Sequence, residues 1–204
     1  MANCTSDIYK FNLRTIDKCA CQTMHAWFVC LQKGWLFQQY ADHVMPLISK
    51  RTVLFTDRYN PEYYDFVVVR NPFARLVSGY FDKIANPKEK TYYNPKYKTF
   101  KEWVMSLKPG EEHKFDPHFR PISLILKGKV FDKICKVETL QKDMDEVCER
   151  LDIPKQEMHD SKDKIRTYKQ PYYTYYDEET LEHFMKMFEA DFDLLDYSKE
   201  LPEE

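Results

Sequence analysis

The segment that most restricts the fold is the run Tyr-Asp-Phe-Val-Val-Val at 64–69, followed by Arg70-Asn71-Pro72. After it, Phe73, Leu76, Val77, Tyr80, Phe81 and Ile84 recur at helical spacing. A continuous apolar run of this length suits a strand buried on both sides. Asn71 is suited to cap the helix that follows, and Pro72 to open it, because a proline in the first turn forfeits no hydrogen bond. A strand feeding through a short turn into a helix is the building unit of a parallel sheet.

The remaining chain repeats that unit. Positions 9–16 alternate polar and apolar residues, as a strand does, and the turn 17–23 (DKCACQT) leads into Met24, Trp27, Phe28 and Leu31 on one helix face. A short strand is expected at 53–55. Residues 85–99, with two prolines, two asparagines and three tyrosines, have no apolar period and read as a loop. A helix at 100–107 and a strand at 130–137 come next. Leu140, Met144, Val147, Cys148 and Leu151 then mark an amphipathic helix with Thr139 as its expected cap. A polar, tyrosine-rich connection at 160–176 precedes a last helix carrying Leu181, Phe184, Met185, Phe188 and Phe192. The expectation is an α/β fold: one domain over residues 1–204, with a parallel sheet covered on both faces by helices.

Composition narrows the function classes. With 43% hydrophobic residues and only four glycines in 204, the chain has the means to build a core. Its 31 basic and 33 acidic residues leave a net charge of −2. A general nucleic-acid binder needs a basic excess to neutralise phosphates, so no nucleic-acid partner is expected. The acidic stretch 177–204 reads as a solvated helix face and end. No run approaches the about 18 apolar residues of a membrane span. The first residues lack a basic flank with an apolar core behind it, so neither a transmembrane nor a secretory segment is expected. Six cysteines form no CxxC pair, and the lone Cys19-x-Cys21 offers too few ligands for zinc; no metal is expected. The cysteines read as reduced packing residues of a cytoplasmic-type compartment.

In parallel sheets, ligands gather beyond the carboxyl ends of the strands, where loops feed helix N-termini. Two loops qualify. In 17–23, successive main-chain N–H groups and the helix dipole attract an anion, and Lys18 adds a mobile positive charge. In the second loop Arg70 leaves a buried strand at its rim, where a guanidinium can fork onto a phosphate. Ser78 lies about two helical turns further on and can add a hydroxyl. Two separated anion sites suit a ligand with phosphates at both ends. Nothing matches GxxxxGK[ST], which argues against a kinase or other ordinary ATP or GTP chemistry.

On these residues the chain resembles the sulfotransferases that use 3′-phosphoadenosine 5′-phosphosulfate (PAPS), and among them the carbohydrate sulfotransferases of the chondroitin and HNK-1 type. Residues 67–83 (VVVRNPFARLVSGYFDK) are similar to the family's 3′-phosphate segment, in which Arg ends a strand and Ser follows eight residues later. Residues 17–23 are similar to its 5′-phosphosulfate loop: Lys18 falls on the family's lysine and Ala20-Cys21 on its Ala-Cys pair. Asp17 stands where the family has Pro, and Gln22 where it has Thr, with Thr23 one position on. Pro117-His118-Phe119-Arg120-Pro121 resembles the His-aromatic segment, 130–140 the strand ending in Glu-Thr-Leu, and 188–198 the closing helix. Cysteines that usually follow the His-aromatic segment are missing from 124–129, as are the family's membrane anchor and stem.

The resemblance implies a P-loop-like sheet flanked by helices, and transfer of a sulfuryl group from PAPS to an acceptor hydroxyl, on a carbohydrate in the nearest branch. Nucleotide contacts are then expected from Lys18, Cys19, Ala20, Cys21, Gln22, Thr23, Arg70 and Ser78, with Lys18 also steadying the leaving phosphate oxygen. Histidine is favoured as the base, its free pKa lying near neutrality. His43, in Asp42-His43-Val44 between the two loops, is the first candidate, and His118 the second; His118 and Arg120 are also candidates for holding the acceptor. His25 and His183 read as structural. Tyr92, Tyr93 and Tyr97, interleaved with Lys88, Lys90, Lys96 and Lys98, offer a surface for a sugar with an acidic group, and Lys162, Lys164 and Arg166 are placed to close over a nucleotide. The alternative is a non-catalytic descendant that binds a nucleotide or another anion, suggested by Asp17 and Gln22.

Overall fold

The computed structural model of the chain describes residues 2–37, 44, 58–158, 168 and 170–202. The strand expected at 53–55 and most of the connection at 160–176 lie outside these residues. The described strands are β1 (Ala2–Ser6), β2 (Phe11–Thr15), β3 (Tyr64–Val69) and β4 (Lys133–Lys136). The described α-helices are α1 (Cys21–Lys33), α2 (Pro72–Gly79), α3 (Phe100–Ser106), α4 (Ile122–Leu126), α5 (Leu140–Arg150) and α6 (Glu178–Leu195). The chain divides into two compact units, Met1–Arg70 with Lys129–Asp160, and Asn71–Gly128 with Ser161–Glu204.

The first unit holds the sheet, with strands in the order β1-β2-β3-β4. β2, β3 and β4 run parallel, giving the α/β class expected, while β1 pairs antiparallel to β2 at the edge. The sequence reading missed β1. Its partner follows after only four residues, too few for a crossover, so the pair closes as a hairpin. On one face Phe11, Leu13, Phe66, Val68 and Cys135 pack against Met24, Trp27 and Cys30 of α1 and Met144 and Val147 of α5. Such a core is sensitive to truncation: a large buried aromatic cut to Ala costs about 3–5 kcal/mol. The opposite face carries a buried ion pair between Arg14 Nε and Asp65 Oδ2 at 3.4 Å, with the guanidinium over the Tyr59 ring at 4.6 Å.

One cap differs from expectation. Thr139 stands at the N-cap of α5 but makes no capping hydrogen bond. Its hydroxyl donates to Asp143 Oδ2 at 2.8 Å instead, and the same oxygen accepts from Lys136 N–H at 2.7 Å. Asp143 thereby draws the Thr139 hydroxyl away from the helix end.

The second unit is built on α2, all eight residues of which are buried. Asn71 Oδ1 caps it, accepting from Phe73 N–H at 3.0 Å and Ala74 N–H at 3.3 Å, and Pro72 opens it as expected. Phe73 meets Tyr176, Phe184 and Phe192 at ring distances of 5.1, 4.9 and 4.7 Å. The apolar face of α6 thus docks on α2. Residues Tyr80–Ile84 continue the helix as a wider π turn, closed by Ala85 N–H on Tyr80 O at 2.9 Å. Thr99 and Glu102 form a capping box on α3, and Asp177 caps α6. Asp191 corrects the reading of the acidic stretch as solvated, since it is fully buried. Among the described residues no helix is long and apolar enough to cross a membrane.

Candidate functional site

In the first unit the parallel register Thr15↔Val68 sets the ends of β2 and β3 side by side. The residues leaving each strand therefore emerge together, as the crevice rule for such sheets requires. Beyond β2 the chain turns through 17–20 into α1, with Cys19 N–H donating to Ile16 O at 3.1 Å. Lys18 and Ala20 both adopt left-handed backbone, at φ 68° and 53°. For residues with a Cβ this costs on the order of 1–2 kcal/mol each. Ala20 is the N-cap of α1 and has no side-chain oxygen to offer, and the first turn carries no acidic residue. The positive pole of α1 thus lacks both a side-chain cap and a first-turn carboxylate, an arrangement that favours an anion there.

Arg70 follows β3 directly, and its Nη1 donates to the main-chain oxygen of Lys18 at 3.4 Å. The structure therefore sets Arg70 against the carbonyl of Lys18, the first residue of the run Lys18, Cys19, Ala20, Cys21, Gln22 and Thr23. These six do not share one environment. Cys19 is fully buried and Thr23 nearly so, while Gln22 is exposed. Burial first, and then the Asp17 carboxylate, push the Cys21 thiol up, against Lys18 and the N–H groups of Lys18 and Gln22. The thiol stays protonated at neutral pH and is no nucleophile. Next to this turn His25 lies buried with Nε2 2.8 Å from Thr15 Oγ1, and burial pushes it down to about 4 despite the opposing Asp17. It is a neutral ring that locks α1 to β2.

In the second unit Ser78 sits on buried α2, with 6% of its surface exposed. The same helix carries Arg75, whose Nη1 donates to Arg120 O at 2.8 Å and Nη2 to Pro117 O at 2.9 Å. On α6, Asp191 accepts from the N–H groups of Ile122 and Ser123, both at 2.7 Å. The segment 116–123 is thus clamped at its carbonyls by a buried cation and at its amides by a buried anion. Burial pushes the Asp191 carboxyl up, against those hydrogen bonds and the charge of Arg75. Arg120, a candidate for holding the acceptor, donates through Nε and Nη2 to Phe115 O at 3.1 and 2.8 Å.

Within that clamped segment, His118 Nδ1 lies 2.5 Å from Asp116 Oδ1, which also accepts from His118 N–H at 2.9 Å. The Tyr92 hydroxyl bonds the same carboxyl, and the Tyr92 ring meets His118 edge-on at 5.5 Å. Burial opposes ionisation of Asp116, but the hydrogen bonds from His118 and Tyr92 hold its carboxyl below the ordinary range. Asp116 and Arg75 were missed by sequence reasoning. Asp-Pro ahead of His118 is a turn signal that pointed to the first; an arginine inside an apolar helical period was the only mark of the second. His183 Nε2 lies 2.9 Å from Leu107 O and ties α6 to the end of α3.

Of the other candidates, Tyr93 is exposed, and the Tyr92 ring lies under Lys83, a lysine paired with Glu89 at 3.1 Å. His43, Lys162, Lys164 and Arg166 lie outside the described residues. Among the described residues no group of His, Cys, Asp and Glu is arranged to hold a metal ion. The sequence model of the "Sulfotransferase family" matches residues 4–198 of the chain. No curated protein and no solved structure matches it.

Proposed function

Because this chain belongs to the sulfotransferase family, we propose that it transfers a sulfuryl group from PAPS to a hydroxyl of a carbohydrate acceptor. Residues 1–204 would form one such domain, the family match running through both units. The observation that carries the reading is the meeting of Arg70 with the Lys18 turn at the uncapped start of α1. The donor offers a phosphosulfate at one end and a 3′-phosphate at the other. N–H groups and side chains of residues 18–23 take the first and Arg70 the second, for which Ser78 is the further candidate that the sequence offers.

Sulfuryl transfer, like phosphoryl transfer, depends on positioning and on charge stabilisation. Lys18 supplies a cation to the oxygen that leaves with the 5′-phosphate. His118 and Arg120 contact the acceptor. The proton of the attacking hydroxyl goes to histidine, with His43 and His118 as the two candidates; Asp116 is the observation favouring His118. The six cysteines are read as reduced, which suits a cytoplasmic-type compartment.

The direct experiment is titration with adenosine 3′,5′-bisphosphate by calorimetry, followed by mass-spectrometric detection of sulfated product from PAPS and desulfated chondroitin. Saturable binding with product formation is expected. No binding to the wild-type protein would sink the proposal. One observation favours a second reading, a descendant that binds an anion without turnover: the Asp17 carboxylate acts on both Cys21 and His25 from inside the anion loop. Binding with no product across sugar, steroid and peptide acceptors would select it.

A further inference from the structure

We propose that the paired turns at 86–91 and 94–99 form a docking surface for an anionic polysaccharide; only in taking that polymer for the acceptor does the inference rest on the sulfuryl-transfer reading. The stretch contains a duplication. Asn86-Pro87-Lys88-Glu89-Lys90-Thr91 returns as Asn94-Pro95-Lys96-Tyr97-Lys98-Thr99, with one residue changed. The two copies also turn alike. Asn86 Oδ1 accepts from Lys88 N–H at 3.0 Å, and Asn94 Oδ1 from Lys96 N–H at 3.1 Å. Glu89 N–H donates to Asn86 O at 3.0 Å, and Tyr97 N–H to Asn94 O at 3.2 Å. Each copy is a β-turn with proline fixing φ at its second position and the asparagine side chain bracing it. In each, the residue between the lysines is spent inward: Glu89 pairs with Lys83 at 3.1 Å, and Tyr97 packs on the aromatic core of the second unit. The four lysines, Lys88, Lys90, Lys96 and Lys98, are all exposed.

The surface is positive because the nearby acids are occupied. Glu89 is the one acid of residues 85–99, and Lys83 neutralises it. Glu102, next along the chain, accepts from the N–H groups of Lys98 and Thr99 at the start of α3. Among the described residues no ion pair joins any of the four lysines to a carboxylate. Four like charges on one loop repel each other, and an anion relieves that repulsion. Two lysine pairs, repeated with the turn, suit a polymer whose carboxylate or sulfate groups also repeat. The exposed Tyr93 between the copies adds a ring that can lie against a sugar. Residues 85–99 contain no arginine, the side chain that forks onto phosphate, and a chain of net charge −2 has no general basic field for nucleic acid. The acidic stretch of a second copy fits less well, because its carboxylates already have partners. Asp177 and Glu179 pair with Lys101, Glu182 with Lys186, and Glu189 and Asp193 with Lys199.

Fluorescence anisotropy of a labelled long chondroitin sulfate fragment, titrated with the full chain in the absence of nucleotide, tests the surface. Saturable binding that weakens with added salt is expected. The quadruple variant Lys88→Gln, Lys90→Gln, Lys96→Gln and Lys98→Gln should bind about 10- to 100-fold more weakly, at about two- to threefold for each exposed charge. Its Tm and its affinity for adenosine 3′,5′-bisphosphate should not move, and Lys→Arg changes at the same four positions should keep polysaccharide binding. A control carrying Lys108→Gln, Lys127→Gln, Lys142→Gln and Lys155→Gln, four exposed lysines elsewhere, should bind as the wild type does. No binding by the wild type, or an equal loss in the control, overturns the proposal. Equally tight binding of a single-stranded oligonucleotide of matching charge also overturns it, by marking a general polyanion site. So does self-association of the wild type that the quadruple variant loses in place of polysaccharide binding. In PAPS-dependent sulfation of desulfated chondroitin the quadruple variant should raise KM at unchanged kcat, and leave KM for a disaccharide acceptor as it was. An unchanged KM for the polymer overturns its identification as the acceptor. Polysaccharide binding without bisphosphate binding would keep the docking surface and sink the transferase reading alone.

Discussion

Arg70 and Lys18 stand 52 positions apart in the sequence, yet the guanidinium of the first donates to the main-chain carbonyl of the second. The contact fixes the side chain that ends β3 against the turn that begins α1. A cation and a helix N-terminus are thereby presented together, which is the feature an anionic ligand with two charged ends can use.

Arg70→Ala should weaken binding of adenosine 3′,5′-bisphosphate by about 10- to 150-fold, the equivalent of about 1.5–3 kcal/mol for hydrogen bonds to a charged group. Arg70→Lys should recover only part, since an ammonium cannot fork onto phosphate. Calorimetric titration checks both. Affinity unchanged in Arg70→Ala would remove Arg70 from the nucleotide site.

Ser78→Ala separates binding from folding. Alanine has the better helix propensity, by several tenths of a kcal/mol, so Tm should hold or rise slightly. Bisphosphate affinity should fall by about 1.5–3 kcal/mol if the hydroxyl meets a charged phosphate. A drop in Tm with unaltered affinity would make Ser78 a packing residue only.

Arg75→Met should destabilise the fold by about 1–3 kcal/mol for each buried acceptor it leaves unsatisfied, read by urea titration, and it removes a favourable charge from Asp191. The carbonyls of Pro117 and Arg120 lose their donors in the same variant. The double variant Arg75→Met with Asp191→Asn should be less destabilised than the sum of the two single changes. Strict additivity would show that the two clamps act independently.

The buried imidazole of His25 predicts acid sensitivity. Its pKa falls from the model-peptide value of 6.5 to about 4 in the folded chain. Between those values the unfolded chain binds the extra proton and the folded one does not. Stability contributed by the neutral ring is therefore complete above pH 6.5 and shrinks as the pH falls towards 4. The loss amounts to about 3 kcal/mol at most. Urea unfolding at a series of pH values should show this slope in the wild type and a flatter one in His25→Gln. Parallel slopes would mean that other groups govern acid unfolding.

The strand 64–69, Asn71 as cap and Pro72 as first helical residue coincide with their expected positions. Each depends on neighbours along the chain: an apolar run, a side-chain oxygen one residue before a helix, and a fixed φ. The antiparallel strand β1 was illegible because Met1 to Ser6 lacks a strong apolar alternation, and its place comes from pairing with β2. Thr139 was misread for a related reason: its sequence position is that of a cap, but Asp143 competes for its hydroxyl. The wide π turn at Tyr80–Ile84 likewise lay hidden inside a clean helical period.

Local order of residue types thus settled the α/β class and the turn-to-helix connections after β2 and β3, on which Lys18 and Arg70 stand. Tertiary structure alone decided that Arg70 reaches the Lys18 turn and that Arg75 and Asp191 are buried. Periodicity reports which side of an element is apolar, but a hydrogen bond between distant residues depends on strand register and helix packing. Of those, the sequence records only the apolar half.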